Sequence, residues 1–138
     1  MALAPGLVAR IERAVLVYGP GRAIPADELR AGLRAVDLVP DEDYAEFAGR
    51  WGGCFVGVAV HVWDNAPLLG RESCVVLTTW ARESFGPVVD GLVFADDGAG
   101  NPIWIAADGS VRIAYHDDGG EDVLASGFAS LLESNVHD

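Results

Sequence analysis

The sequence predicts a single α+β domain spanning residues 1–138. Three observations support this class. Apolar residues recur at helical spacing in three segments before residue 52, strand-like runs rich in β-branched residues follow it, and Asp108-Gly109 stands between IWIAA and SVRIAY. A Gly-containing pair between two apolar runs is the strongest short-range hairpin signal, because Gly takes φ > 0 without steric cost and Asp tolerates it.

Residues 7–18 place Leu7, Val8, Ile11, Ala14, Val15 and Tyr18 on one stripe, with Arg10, Glu12 and Arg13 outside it. This spacing predicts an amphipathic helix ended by Gly19-Pro20-Gly21. A second helix is expected from Pro25, with Asp27 and Glu28 at the positive end of its dipole and Leu29, Leu33 and Val36 as its apolar stripe. Gly32 in its middle weakens it by about 1 kcal/mol relative to Ala. A third helix follows Pro40, where Tyr44, Phe47, Ala48 and Trp51 repeat at i, i+3, i+4, i+7 and Gly52-Gly53 stops the pattern. The acids 41–43 fit its first turn better than a metal site.

Residues 54–63, CFVGVAVHVW, alternate in the manner of one long strand. Residues 74–80, CVVLTTW, predict another strand, and 81–86 a short helical turn. Residues 90–118 predict three strands. A two-residue loop at 108–109 would pair Ala107 with Ser110. Trp104, Ala106, Val111, Ile113 and Tyr115 would then form the core face, with Ile103, Ile105, Ser110, Arg112 and His116 opposite. A last helix is expected over 123–134, capped by Ser126, with Phe128, Leu131 and Leu132 inward.

Composition narrows the function. A chain of this length buries about two-thirds of its unfolded surface and needs no disulfide or metal to fold. Its net charge is −12, which repels nucleic acid and anionic membranes and attracts basic protein partners. All nine cations are Arg. Cys54 and Cys74 look like packed free thiols, and no apolar run approaches a membrane span or a secretory signal, so a cytoplasmic location is expected.

No catalytic constellation stands out. His61 and Cys74 lack a local motif, no Gly-x-Ser-x-Gly elbow is present, and His137 is next to the C-terminus. Reading 97–108 as a calcium loop puts Ala99 third, Pro102 sixth and Asp108 twelfth, so the ligand pattern fails. Gly98-Ala99-Gly100 is followed by no Lys. No catalytic, metal or cofactor residues are therefore assigned. Binding remains: Asp90 to Asp122 holds eight acids against Arg112 alone, with Trp104 and Tyr115 in the same region. These aromatics fit either a core or an interface anchor.

The order VPDEDYAEFAGRWGG, FADDGAGNPIWIA, GSVRIAYHDD, VLASGFASLLE resembles the SUKH superfamily over residues 38–134. Pro40, Tyr44, Phe47, Gly52, Gly53, Asp97, Gly98, Gly100, Asn101, Gly109, Val111, His116, Asp117, Ser126 and Phe128 occupy its motif positions, whereas 81–89 lacks its basic Pro-containing segment. The resemblance implies a mostly antiparallel, twisted sheet of about five to six strands flanked by N- and C-terminal helices. It also implies a non-enzymatic, toxin-neutralising immunity protein whose partner is a cognate toxin domain, often a basic nuclease or a deaminase. Fungal relatives act as cell-wall-synthesis regulators, so an intracellular regulatory module is the alternative, and a carboxylate- or metal-dependent hydrolase a third. The residues expected to meet a partner are Asp96, Asp97, Asn101, Arg112, His116, Asp117 and Asp118. The partner's identity, the contacting face and the oligomeric state are left open.

Overall fold

The computed structural model describes residues 2–137. Local signals explain the first three helices: α1 spans Pro5–Tyr18, α2 Ala26–Leu33 and α3 Glu42–Trp51. Pro in the first turn starts α1, and Gly19 at φ +91° ends it. Asp41 caps α3, its carboxylate accepting from the Asp43 and Tyr44 amides at 3.1 Å. Gly32 has a packing reason: a Cβ there would come within 2.5 Å of the Trp63 ring. A short 3₁₀ turn, Arg34–Val36, carries the buried Val36.

The run 54–63 is not one strand. It is a small hairpin, β1 Cys54–Phe55 and β2 Ala59–Val60. Gly57 breaks it at φ +88°, where a Cβ would meet the Asn135 carbonyl at 1.9 Å. Alternation continued through the break because Val56, Val60 and Val62 are all buried. The His61 amide donates to the Phe94 carbonyl at 2.7 Å and ties this hairpin to the main sheet.

Residues 74–80 form a helix, not a strand: α4 runs Cys74–Phe85 and absorbs the turn expected at 81–86. Ser73 caps it by accepting from the Val76 amide at 3.1 Å. Cys74, Leu77, Thr78 and Ala81 are its buried side, at i, i+3, i+4, i+7. Intrinsic β-propensity here yields to a capped, helically spaced apolar face.

The main sheet is antiparallel, in the order β3 Leu92–Asp96, β4 Pro102–Ile105, β5 Val111–Ala114, β6 Glu121–Ala125. The molecule thus has α+β architecture, with six strands among the described residues divided between a four-stranded and a two-stranded sheet. The β4–β5 loop is one residue longer than expected. Ala106 N donates to Ser110 O at 2.7 Å, and Gly109, at φ +88°, closes the three-residue loop 107–109. Trp104 therefore pairs with Arg112, and Ile103 with Ile113. A one-residue slip reverses which face a side chain takes. Ile103, Ile105, Val111 and Ile113 join the main core, while Trp104, Ala106 and Ala114 lie on the other face with Val93, under Leu77 and Ala81 of α4.

Helix α5 begins at Phe128, after β6, and ends at Asn135. Gly127 occupies its N-cap position, and the Ser126 hydroxyl meets Ser130 instead. Phe128 is the hub of the main core, its ring centroid 5.2 Å from Phe94, 5.5 Å from Tyr44 and 5.8 Å from Phe47. Such edge-to-face pairs add about 0.5–1.5 kcal/mol each beyond burial. The sheet is thus covered on both faces, which fixes the positions of the loops at its two ends.

Candidate functional site

Strand direction sorts the sequence-selected residues. The β3–β4 loop (97–101) and the β5–β6 loop (115–120) emerge at one end of the sheet, while the β4–β5 loop closes the other. The first end gathers Asp96, Asp97, Asn101, His116, Asp117 and Asp118. Arg112 is set apart, toward the hairpin tip. There it meets Ser110 Oγ at 3.0 Å and Asp108 at 3.3 Å, and in the other direction it reaches Glu121, the residue after the β5–β6 loop, at 3.6 Å.

The loop end is built from short polar side chains that bond to nearby backbone. Asp96 accepts from the Gly98 amide at 2.7 Å, Asp97 from Ala99 at 2.9 Å, and Asp118 from Gly120 at 2.8 Å. Asp and Asn favour such turns because the side chain replaces a backbone acceptor. Asn101, only 7% exposed, joins the two loops. Its Nδ2 donates to Asp97 Oδ2 at 2.8 Å, while its Oδ1 accepts from the His116 amide at 3.0 Å and faces His116 Nδ1 at 2.7 Å.

This arrangement sets the imidazole's protons. Asn101 presents oxygen to the ring, so Nδ1 carries hydrogen. Nε2 stands 3.0 Å from Asp117 Oδ1 and donates there only when the ring holds both protons. The Asn101 amide, with the Ala99 and Asn101 backbone amides, holds the Asp97 carboxyl below its ordinary value. Tyr115 donates to Asp122 at 3.0 Å, and that bond raises the phenol's pKa.

Against this acidic end lies a groove of about 510 Å³. Trp80 and Phe85 of α4 line it, with Val88, Gly100, Tyr115 and His116. The Trp80 and Phe85 rings pack edge to face at 5.9 Å. Sequence reasoning missed these two aromatics as site residues because it placed Trp80 at the end of a strand. The signal was the Ser73 cap followed by apolar residues at 74, 77, 78 and 81. Trp104, by contrast, is core: fully buried, with its indole donating to Asp90 at 3.0 Å.

His61 and Tyr44 have structural partners. His61 Nδ1 faces the Glu72 carbonyl at 2.7 Å, and the Tyr44 hydroxyl donates to the His61 carbonyl at 2.6 Å. Burial pushes the Cys74 thiol up to about 11 and the Cys54 thiol up to about 12, away from thiolate chemistry. Among the described residues no group of three or more His, Cys, Asp or Glu side chains could hold a metal ion. No helix there is long and apolar enough to cross a membrane.

No protein-family model matches the chain, and no curated protein matches it.

Proposed function

We propose that the protein works by binding, as an immunity-type protein whose acidic loop end grips a basic toxin domain. The observation that carries this reading is the six-residue assembly Asp96, Asp97, Asn101, His116, Asp117 and Asp118, held by side-chain bonds to nearby backbone and to one another beside an aromatic groove. Loops braced in this way lose little entropy on association, so more of the contact energy appears as affinity. Several carboxylates at one end speed encounter with a cationic surface, and Trp80 and Phe85 supply apolar contact area beside them. The order of motifs resembling the SUKH superfamily supports the same class of function.

Co-expression with toxin domains encoded beside its gene tests the proposal. Rescue of growth and a co-purifying complex are expected with one of them. No rescue and no complex with any neighbouring domain would count against an immunity role and leave the regulatory alternative. A complex that is unchanged by Asp96→Arg with Asp117→Arg would move the interface elsewhere.

A further inference from the structure

We infer that the groove between α4 and the loop end seats an arginine side chain of the partner protein, its guanidinium lying on the rings and its charge met by carboxylates at the groove's edge. The inference rests on the binding role proposed above and names the group that enters. Trp80 and Phe85 both pack on the buried cluster under α4, so their positions are fixed, and both line the groove. Tyr115 lines it from the β5–β6 loop. Ala99, Gly100 and Ala114 add little bulk between them and leave about 510 Å³ open. That volume falls within the roughly 300–1,000 Å³ of ligand pockets. Aromatic faces attract cations through the ring quadrupole, Trp most strongly.

Charge selects the occupant. Among the described residues no Arg lines the groove, while carboxylates bond to residues that do. Asp97 accepts from the Ala99 amide at 2.9 Å, Asp122 accepts from the Tyr115 hydroxyl at 3.0 Å, and Asp117 stands 3.0 Å from the His116 ring. The Asp117 side chain is 87% exposed, so a partner reaches it directly. A second copy of the chain, at a net charge of −12, is repelled from this edge. A neutral side chain gains nothing from the carboxylates. Lysine's compact ammonium is strongly hydrated and gives up more on entering a ring-lined space. Arginine's planar guanidinium is weakly hydrated, stacks on aromatic faces and pairs two-pronged with a carboxylate. It uses both the rings and the acids of this site.

Titration of the full chain with a blocked glycine peptide carrying one central arginine, followed by NMR at the Trp80 indole N–H, tests this. Saturable binding is expected, on the order of millimolar for a single side chain. The same peptide with citrulline, which keeps the shape and loses the charge, should bind about tenfold more weakly, and the lysine peptide several-fold more weakly. Trp80→Ala should weaken the arginine peptide about tenfold. Because Trp80 also packs inward, Ser84→Arg supplies a variant that leaves the core alone. Ser84 is exposed on the groove wall, and the new guanidinium would occupy the site. Its melting temperature is expected to hold and its peptide binding to be lost. Equal affinity for the arginine and citrulline peptides overturns the proposal, as does equal affinity for the lysine peptide. So does a Trp80 indole that does not respond, or binding retained by a folded Ser84→Arg chain. The readout needs no toxin. Arginine-peptide binding without growth rescue by any toxin domain supports the groove and counts against the immunity reading alone. Rescue without peptide binding overturns the groove and keeps that reading.

Discussion

The two ends of the β4–β5 hairpin are made of similar residues and do different things. At the tip, Asp108 accepts from the Ser110 amide and hydroxyl, and Arg112 stands 3.3 Å from Asp108 while reaching back along the sheet to Glu121 beside the β5–β6 loop. Asp90 at the same end accepts the Trp104 indole. Both tip acids therefore serve the fold, and Asp108 has a cation beside it. At the loop end, Asp96, Asp97 and Asp118 also hold their own turns, but their bonds are to amides. The cation-capable group there is His116, against Asp117. Amide donors stabilise a carboxylate without cancelling its charge, so the loop end keeps the field of its carboxylates, while at the tip Arg112 offsets the charge of Asp108.

The comparison can be broken from either end, and the largest effect belongs to the tip. Trp104→Ala removes a fully buried ring between the sheet and α4. It is expected to cost about 3–5 kcal/mol in a denaturant titration. A loss below about 1 kcal/mol would mean that α4 is not firmly packed on that face.

Next in size is Asn101→Ala. It leaves the His116 amide and Asp97 without the bonds that couple the two loops. A loss of about 1–3 kcal/mol is expected, with faster hydrogen exchange at the His116 amide. Unchanged exchange there would show that the loops are held independently of Asn101.

Asp96→Arg with Asp117→Arg should lower affinity for a basic partner at least tenfold, about 1.4 kcal/mol. The melting temperature should fall little, since both groups face water. Asp108→Asn at the tip is the matching control and should leave that affinity unchanged. If both variants weaken binding equally, the ends do not differ as described.

The smallest effect is in the acid limb. Asp97, through Asn101, and Asp108, through Ser110, each have a folded pKa below the ordinary 3.8. A lowered folded value gives stability that is present above 3.8 and is lost as the pH falls through the lowered value. Both ends therefore weaken together in strong acid. In Asn101→Ala the Asp97 carboxyl should titrate closer to 3.8 while Asp108 stays low, as carboxyl NMR would show. A parallel rise at Asp108 would contradict the separation of the two ends.

The sequence by itself determined the elements whose signals are local. Helix α3, its cap at Asp41 and its stop at Gly52 follow from neighbours within four residues, as do the strand positions in 90–118. So does the loop-end cluster, because its Asx turns and short loops lie close along the chain. Its link through Asn101 to His116, fifteen residues on, was visible only as a coincidence of residue types. Tertiary structure decided the rest. One extra loop residue at 107–109 moved Trp104 to the opposite face, and Gly57 yielded to the approach of Asn135. CVVLTTW became a helix because the second face of the sheet offered it a place to bury Leu77 and Ala81. Each of these depends on a contact between distant parts of the chain, where burial outweighs the tenths of a kcal/mol by which local propensity distinguishes strand from helix.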